Sequence, residues 1–419
     1  MTFDLHDFDG KDIVFVGVGK GRSVAGLEPF LRAHAAIKSF AGVDKQAGSE
    51  PLGFLRDYDL GTTIFFKNEA IPGSEMPVPY LTTQQLFFQL ARAHSIQTVG
   101  ITGTKGKSTT TALTAHILKH AGKEVVVGGN IGISPLPMLE TIAPGTIFVL
   151  ELSSYQLSDL RTSPHIAVCT NLYNDHTDWH GSLDEYWEAK HNIVRYTGAD
   201  DVFIYNPDFS ELQRWANEVI CKTIAINPAE QLDLTGAQLF GEHNVLNALM
   251  AREVARHYGI DDATTLAAIR SFAPLRHRMQ TVATKHGRTY VDDAIGMTPE
   301  STMAGLAAIT SSVGPVGCLF LGGQDRNYDY SALMPKIAEY NVPFLVLFPE
   351  TEAKMKAAMP AGYHPEVFET SSMQDAVRWA SEHAPKGSVV LLSTAAPSYL
   401  IWKDFEDKGD QFQDAVNAL

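Results

Sequence analysis

The chain has few cysteines, no strongly basic segment and no long apolar run, and each absence excludes a class of protein. Its three cysteines, Cys169, Cys221 and Cys318, stand singly in apolar stretches, with no C-x-x-C pair. An odd number of isolated cysteines favours buried, reduced thiols over a disulfide framework. The net charge of −15 argues against a nucleic-acid-binding surface. It still allows a phosphate site, which needs only local N–H groups and a lysine or two.

The sequence also has no recognisable targeting or membrane-spanning segment. Its first residues, MTFDLHDFDG, include neither a basic nor an apolar signal region. No apolar run approaches the ~20 residues that span a bilayer. A length of 419 residues exceeds what one hydrophobic core organises. We therefore expect a cytoplasmic, monomeric protein of several domains, without membrane insertion and without a nucleic-acid partner.

Short apolar runs are the main structural signal that is present. Each is followed by a Gly-, Asn- or Asp-containing turn and then by a helical pattern. Because the runs are continuous rather than alternating, they predict strands covered on both faces, as in the parallel sheets of α/β proteins. The runs span residues 12–19, 97–104, 124–130, 146–153, 166–171, 288–293, 317–323, 343–349 and 388–394.

Two segments interrupt this series and predict domain boundaries. Residues 75–81, EMPVPYL, precede a short helical stretch, and residues 271–280 carry a proline and two arginines between a helix and a strand. Such composition is typical of linkers between domains. We therefore predict three α/β domains, at residues 1–92, 93–274 and 275–419.

A glycine-rich turn after the strand QTVGI predicts a phosphate-binding loop. TGTKGKSTTT leads directly into an amphipathic helix that ends at Gly122. Turns of this kind hold phosphates with backbone N–H groups, while Lys107 would reach the outer phosphates and Ser108 would bind magnesium. Ile101 stands where the strict G-x-x-x-x-G-K-S pattern has its first glycine. ATP or GTP binding is predicted for Gly103, Thr104, Lys105, Gly106, Lys107, Ser108 and Thr109. A second turn, GVGKGR at 17–22, is either a nucleotide-type site or a simple βα turn.

Residues 172–193 gather three histidines, five carboxylates and one lysine. Ser182 and Glu185 have the spacing of a capping box, which predicts that a helix begins near Leu183. Projected at 100° per residue, the apolar residues of this helix share one arc, and Lys190 falls in its middle. An unpaired buried ammonium is costly. Either a carboxylate pairs with Lys190, or its amine is chemically modified.

Further candidate ligands follow two of the apolar strands. His176 lies in NDH after the strand IAVCTN, and Glu151 ends the strand before it. In open α/β sheets, ligands bind at the carboxyl ends of the strands. With Ser108, these side chains would suit magnesium or manganese together with phosphate. His180 and His191 are interpreted as structural.

A set of ordered motifs extends from about residue 12 to residue 412. The motifs are GTKGKST, ELSSYQL (151–157), NDHTDWHGSLDEYWEAK, GEHNVLNAL (241–249), HR (277–278), LGGQDR (321–326) and LLSTAAPSYLIWKDFEDKG (391–409). Taken together, these motifs resemble the Mur ligase family, which builds the peptide of the peptidoglycan precursor. The resemblance implies a Rossmann-like N-terminal domain for the UDP-sugar, a central P-loop ATPase-type parallel sheet for ATP and a Rossmann-like C-terminal domain for the incoming amino acid.

The resemblance implies an ATP-dependent amide ligase that adds glutamate, most similar to members that add D-glutamate to UDP-N-acetylmuramoyl-L-alanine. The substrate carboxylate would attack the γ-phosphate of ATP, and the glutamate amine would then attack the acyl phosphate. Lys107, His176 and Lys190 would be catalytic residues. Lys190 would carry a carbamate and, with Ser108, Glu151 and His176, would hold magnesium, with two ions expected.

The family's other site positions can also be placed in this sequence. Asn244 and Asn247 would reach the nucleotide, His277 and Arg278 would lie beside the phosphates, and Asp293 would face the ATP site. The implied contacts to the two other substrates are Gly17, Gly19, Asn130, Arg326, Ser398 and Phe405.

Several residues around the implied amino-acid pocket depart from the family's pattern. Arg326 replaces a usual lysine, and its guanidinium could hold a side-chain carboxylate through two parallel hydrogen bonds. Ile295 and Met297 stand where a lysine and a threonine are common, and Pro397, Tyr399 and Leu400 are unusual too. L-glutamate or another acidic amino acid is therefore an alternative substrate. Three further alternatives remain for the function of the chain. They are a folate or other polyglutamate ligase, a P-loop kinase, and a non-catalytic nucleotide-binding partner of a cell-wall complex.

Overall fold

The structure, a computed structural model, describes residues 4–18, 24–48, 50–130 and 134–419. The chain divides into two units. The first consists of Met1–Asp233 and Leu246–Ile269, and the second of Leu234–Val245 and Arg270–Leu419. Among the described residues, no helix combines the length and the apolar character that crossing a bilayer requires.

The first unit contains two parallel sheets. The smaller sheet consists of β1 (Asp12–Val16), β2 (Ser39–Val43) and β3 (Thr63–Lys67), in the order β2-β1-β3. The larger sheet consists of β4 (Gln97–Thr102), β5 (Val125–Gly129), β6 (Ile147–Glu151), β7 (Ile166–Cys169), β8 (Val202–Tyr205) and β9 (Lys222–Ala225). Its order is β5-β6-β4-β7-β8-β9, so β4 lies in the middle between β6 and β7.

Helices cover these sheets and share one apolar core with them. A continuous buried cluster joins Phe15 and Phe66 of the smaller sheet to Phe148 and Phe203 of the larger one. The α-helices that lie wholly or mostly in this unit are α1 (Val24–His34), α2 (Thr83–Ala93), α3 (Lys107–His120), α4 (Ser154–Ser158), α5 (Thr177–His180), α6 (Leu183–Arg195), α7 (Ser210–Glu218), α8 (Glu242–His257) and α9 (Asp262–Ser271). The first four residues of α8 and the last two of α9 belong to the second unit. Short 3-10 helices span Leu5–Phe8, Gly53–Asp57, Gly73–Glu75 and Pro137–Glu140.

The second unit is built on one six-stranded sheet with helices on both faces. The strands are β10 (Gln280–Lys285), β11 (Arg288–Asp292), β12 (Val316–Gly322), β13 (Phe344–Phe348), β14 (Glu366–Glu369) and β15 (Val389–Leu392). Their order is β10-β11-β15-β12-β13-β14, and only the β10–β11 hairpin pairs antiparallel. Alternate residues enter separate cores, Phe320 on one side and Leu319 and Leu321 on the other. The helices are α10 (Pro299–Ser312), α11 (Leu333–Glu339), α12 (Glu352–Ala357), α13 (Met373–His383) and α14 (Phe405–Asn417).

All nine predicted strands are present, which confirms the predicted α/β class. The six strands that were not predicted are β2, β3, β8, β9, β10 and β14, and all except β8 lie at sheet edges, where less apolar surface needs covering. α6 begins at Leu183 as predicted, with the Ser182 hydroxyl accepting from Glu185 N. The predicted domain boundaries at 92/93 and 274/275 stay predictions.

A guanidinium–carboxylate pair between α2 and the start of β8 stabilises the first unit. Arg92 Nη1 and Nη2 donate to the two carboxylate oxygens of Asp201 over 2.8 and 2.6 Å. Arg92 also donates to the carbonyl oxygens of Ser163 and Pro164. Asp201 is 3% exposed, so loss of its partner would leave a buried charge uncompensated.

We expect Arg92→Met to lower the free energy of unfolding by about 3 kcal/mol, because breaking a buried pair costs more than breaking an exposed one. Urea denaturation followed by circular dichroism measures the change. Arg32→Met is the matched control, since Arg32 and Glu28 form an exposed pair one helical turn apart. Equal effects of the two substitutions would contradict the assigned role of Arg92.

Candidate active site

A glycine-rich loop joins β4 to α3. Gly106 is the N-cap of α3 with φ +82°, and its carbonyl oxygen accepts from Thr110 N over 2.9 Å. A Cβ atom on Gly106 would lie 2.5 Å from Asn247 Oδ1, and one on Gly103 would lie 1.9 Å from Thr170 Oγ1. The close approach of the loop backbone to these neighbours therefore depends on glycine.

The segment after β7 holds this loop in place. Asn171 accepts from Thr104 N with its carbonyl oxygen over 3.0 Å and from Lys105 N with Oδ1 over 2.8 Å. Thr170 Oγ1 donates to the Lys105 carbonyl oxygen over 2.6 Å. With these backbone groups fixed, the start of α3 is a preformed anion-binding terminus.

Lys107 is the first residue of α3 and folds back on the loop. Its Nζ donates to the carbonyl oxygens of Gly103 and Thr104 over 3.0 and 2.9 Å. Ser108 is buried, and Thr109 is half-buried. An ammonium group and a hydroxyl group at a helix N-terminus are the groups that phosphate-binding loops use.

Glu151 is the last residue of β6 and is 2% exposed. Its Oε1 accepts from Asn130 Nδ2 over 2.7 Å, whereas its Oε2 is buried without a hydrogen-bond partner among the described residues. A buried carboxylate oxygen without a partner costs free energy, and a bound cation would recover it. Glu151 therefore suits a metal-ligand role.

α6 carries Lys190 into the interior, where it is 1% exposed. Its Nζ donates to the Gly103 carbonyl oxygen over 2.9 Å and lies 4.8 Å from the centroid of the Tyr186 ring. Within the described ranges, no carboxylate lies at ion-pair distance from this amine. Burial lowers the pKa of Lys190 to about 7, and the charge of Lys107 lowers it further, while Glu151 opposes the shift. A large fraction of the amine is consequently neutral near pH 7.

His176 follows β7 and adopts a left-handed backbone conformation with φ +50°. Its Nδ1 lies 3.0 Å from the Tyr155 hydroxyl oxygen. Burial lowers the pKa of the imidazole, Asp175 opposes this, and the charges of Lys190 and Lys107 lower the pKa further. The imidazole is therefore neutral at pH 7, which is the form that binds a metal or accepts a proton.

The predicted magnesium ligands lie near one another in the first unit. The charge of Glu151 acts on the pKa of Lys190, and the charge of Lys190 acts on the pKa of His176. In the part of the chain that the structure describes, no three His, Cys, Asp or Glu side chains are grouped to hold a metal ion. The predicted set is of a different kind, since it requires Ser108 and a modified lysine. The unpaired oxygen of Glu151 and the neutral amine of Lys190 fit such a site.

Two tyrosines of this site were not predicted. The Tyr186 hydroxyl donates to Thr104 Oγ1 over 3.1 Å, and its ring lies beside the Lys190 amine. Tyr155 stacks on His180, with ring centroids 5.6 Å apart and planes 6° apart. Helical spacing placed Tyr186 on the buried arc of α6, but spacing carries no information about the partner of its hydroxyl.

The carboxyl end of β1 lies against the segment that follows β3. Asn68 Nδ2 donates to the Gly17 carbonyl oxygen over 3.1 Å, and Gly17 has φ +94°. Lys67, the last residue of β3, is buried and pairs with Asp159 over 2.7 Å. Neither Lys67 nor Asn68 was predicted, because β3 itself was missed. Gly19, the other predicted contact in this turn, lies outside the described residues.

α8 carries both predicted nucleotide contacts. Asn244 and Asn247 are both buried on this helix. Asn247 Oδ1 accepts from Thr110 Oγ1 over 3.1 Å, so it lies against the first turns of α3. Asn244 Nδ2 donates to the Phe240 carbonyl oxygen over 2.8 Å.

In the second unit, Asp292 is the last residue of β11 and Asp293 follows it. Asp293 is buried and accepts from Ser393 Oγ over 2.9 Å and from Met279 N over 3.3 Å. Burial nevertheless raises the pKa of Asp293 to about 7, and the charge of the half-buried Arg278 opposes the shift. Asp292 Oδ2 lies 2.7 Å from Nδ1 of the buried His277, so the imidazole of the predicted HR pair points into the interior of this unit.

The predicted amino-acid contacts lie on three segments of the second unit. Arg326 is exposed after β12, with its guanidinium 5.8 Å from the centroid of the Tyr399 ring. Ser398 is 1% exposed, and its hydroxyl lies 3.8 Å from Met297 Sδ. Phe405 begins α14. A guanidinium and a hydroxyl group are suitable partners for the carboxylates of an acidic amino acid.

Two protein families match most of this chain. The Mur ligase middle domain matches residues 101–235, and the Mur ligase glutamate ligase domain matches residues 277–396. The UDP-N-acetylmuramoylalanine–D-glutamate ligase of Ligilactobacillus salivarius is 30% identical over 461 residues, which covers 99% of this chain and 98% of the relative. The enzyme of the same name from Bacillus cytotoxicus is 29% identical over 458 residues, with 99% of both chains covered.

Solved structures of the same family share the fold. The MurF ligase from Thermotoga maritima, solved in complex with ADP, has a TM-score of 0.62 at 16% identity and covers 98% of this chain and 96% of its own. The UDP-N-acetylmuramate–alanine ligase MurC from the same organism has a TM-score of 0.62 at 18% identity and covers 97% and 99%. With the full-length relatives at 30% identity, these matches show that the chain belongs to the Mur ligase family.

Proposed function

We propose that this protein is an ATP-dependent amide ligase that joins D-glutamate to UDP-N-acetylmuramoyl-L-alanine in peptidoglycan precursor synthesis. The observation that carries the proposal is the placement of the phosphate loop, the unpaired oxygen of Glu151 and the buried amine of Lys190 side by side. The full-length similarity to relatives named for this reaction supports it. Cytoplasmic location and a monomeric state belong to the same proposal.

The first unit would bind ATP and activate the substrate carboxylate. The N–H groups of the phosphate loop, with Lys107, hold the phosphates, and Asn247 fixes the first turns of α3 against α8. Two anions must meet when the substrate carboxylate attacks the γ-phosphate, so positive charge at this point lowers the barrier. Magnesium, two ions in the proposal, supplies such charge when bound, and Ser108, Glu151, His176 and the modified Lys190 would hold it.

The modification of Lys190 would be a carbamate. The neutral amine attacks carbon dioxide, a C–N bond forms, one C–O π pair moves to oxygen, and the displaced amine proton goes to solvent. The product is an anion that suits magnesium better than an ammonium group does. A pKa near 7 and the absence of a carboxylate partner in the described ranges favour this chemistry.

The second unit would bind the amino acid. Arg326 would hold the side-chain carboxylate, with Ser398 and Phe405 as further contacts. The amine of the incoming amino acid must be neutral to attack the acyl phosphate. His176, whose pKa is lowered, would accept the proton from this amine. Met297 beside Ser398 and Tyr399 beside Arg326 alter the pocket, which makes another acidic amino acid the second candidate substrate.

The remaining predicted positions complete the proposed assignment to three domains. The N-terminal domain would bind the UDP-sugar with Gly17 and Gly19, and Asn130 would lie close to the same substrate. The central domain would bind ATP with the phosphate loop, Asn244 and Asn247. Arg278 and Asp293 would face ATP from the C-terminal domain.

The first test measures ADP release by the purified protein with UDP-N-acetylmuramoyl-L-alanine, ATP and magnesium. D-glutamate, L-glutamate, D-aspartate and L-aspartate are compared as acceptors. We expect turnover with D-glutamate only, as the names of the full-length relatives indicate, with Arg326 holding the side-chain carboxylate in place of a lysine. Turnover with a different acceptor would favour the second candidate, and no ADP release with any acceptor would refute the ligase assignment.

We expect Lys190→Ala to lower kcat by ~100-fold or more, because it removes a metal ligand. Added formate or acetate should restore part of the activity by supplying the missing carboxylate. Lys119→Ala, which changes an exposed lysine on α3, is the control and should leave kcat unchanged. Full activity of Lys190→Ala without added acid would rule out the carbamate.

Gly106→Ala should weaken ATP binding by ~10-fold or more, because the new Cβ would displace Asn247 and because φ +82° disfavours alanine. Gly122→Ala is the matched control. Gly122, just beyond the other end of α3, has φ +77°, but its Cβ would meet no atom within 4 Å. Isothermal titration with ATP should separate the two variants, and the same loss in both would count against the role assigned to the phosphate loop.

A further inference from the structure

A further buried lysine lies in the second unit, outside all the residues assigned above. Lys408 is on α14 and is fully buried, with its Nζ 2.5 Å from Thr394 Oγ1. The amine also lies 5.7 Å from the centroid of the Trp402 ring. In the described parts of the chain, no carboxylate lies at ion-pair distance from it. Burial lowers the pKa of Lys408 to about 7, although Asp292 and Asp293 oppose the shift.

The Lys408 amine lowers the stability of the core in which it lies. A buried lysine without a charged partner costs free energy that an apolar side chain of similar length would not. Among the described residues, the side chain that accepts a hydrogen bond from Lys408 is Thr394, which follows β15. The role of Lys408 therefore depends on the segment that its hydrogen-bond partner Thr394 holds in place.

Thr394 begins a segment, residues 394–398, that we name the 394–398 loop. The Thr394 hydroxyl donates to the Ala396 carbonyl oxygen over 2.9 Å. Ala395 has φ +55°, a conformation that costs free energy for any residue except glycine. A strained segment of this kind keeps its shape only when its surroundings fix it. The Lys408–Thr394 hydrogen bond supplies such a constraint at the start of the loop.

The 394–398 loop is also hydrogen-bonded to two other segments around the proposed amino-acid pocket, the one that carries Arg326 and the one that carries Met297. Gln324 N donates to the Pro397 carbonyl oxygen over 2.9 Å, two residues before Arg326. Ala395 N donates to the Gly296 carbonyl oxygen over 3.0 Å, next to Met297. The loop itself ends at Ser398. A displacement of this loop would therefore move all three segments of the pocket.

We propose that Lys408 is a positioning residue for the amino-acid substrate, which it serves by fixing the 394–398 loop through Thr394. The proposal rests on the proposed function, since it presumes that the pocket binds glutamate. Lys408 does not touch the substrate. It sets the position of the Ser398 hydroxyl and, through the Pro397 carbonyl oxygen, of the segment that carries Arg326.

The test compares substitutions that remove either side of the hydrogen bond. Lys408→Met keeps the length of the side chain without its donor, and Thr394→Val keeps the shape without the hydroxyl group. We expect each to raise KM for D-glutamate by about 5- to 10-fold, the range for one lost hydrogen bond, with KM for ATP and for the UDP-sugar unchanged. Thr394→Val also removes the hydrogen bond from Thr394 to the Ala396 carbonyl oxygen, so its effect should be at least as large as that of Lys408→Met. The double variant should be no worse than Thr394→Val alone, because that variant already lacks the Lys408–Thr394 hydrogen bond. Thr394→Ser, which keeps the hydroxyl group, should retain the wild-type KM.

Phe412→Leu is the control for a merely structural effect. Phe412 is buried on the same helix and contributes only to the apolar core. The Phe412→Leu substitution should lower the melting temperature and leave the KM values for D-glutamate, ATP and the UDP-sugar unchanged. If Lys408→Met does not fold, Thr394→Val still tests the proposal, because an unchanged KM for D-glutamate in a variant that lacks the Lys408–Thr394 hydrogen bond would refute it.

The outcomes separate this inference from the proposed function. If the wild type releases ADP with D-glutamate but Thr394→Val leaves KM for glutamate unchanged, or raises all three KM values equally, the positioning role is wrong and the ligase assignment stands. If the wild type releases no ADP with any acceptor, the ligase assignment fails and the positioning role fails with it.

Discussion

The candidate active site depends on one buried amine that has no carboxylate at ion-pair distance among the described residues. Lys190 is held by a carbonyl oxygen of the phosphate loop and by the face of Tyr186. Neither contact neutralises an ammonium group, and burial lowers its pKa to about 7. Glu151 is also incompletely satisfied, because one of its buried carboxylate oxygens has no hydrogen-bond partner among the described residues. The two defects lie close together, and a metal ion bound by Glu151 and a carbamate would resolve both.

The order of the strands explains how distant parts of the sequence reach this site. β6, β4 and β7 are neighbours in the larger sheet of the first unit, and all run parallel. Their carboxyl ends therefore meet at one edge, where Glu151, the phosphate loop and the segment before His176 emerge. α6 then returns Lys190 to the same edge. Parallel topology, rather than any single contact, brings these groups together.

The sequence predicted the fold class, the central strands and the anomalous position of Lys190, because apolar runs and helical periodicity report burial directly. It missed five edge strands, since an edge strand needs less apolar surface, and it also missed the short interior strand β8. It also missed hydrogen-bond partners such as Tyr186 with Thr104 and Asn171 with the phosphate loop. Such contacts join residues far apart in sequence and leave no local pattern. His277 illustrates the same limit, because its motif did not reveal that Asp292 would hold the imidazole.

The two hydrogen bonds from Lys107 to the carbonyl oxygens of its own loop have a consequence for ligand discrimination. An anion that recruits this ammonium group must replace both bonds. Inorganic phosphate must replace both hydrogen bonds with the contacts of its one phosphate group. A nucleoside triphosphate spreads the same requirement over several phosphates and over its contacts with the helix terminus. If the loop binds ATP as proposed, these two bonds would favour polyphosphates over inorganic phosphate.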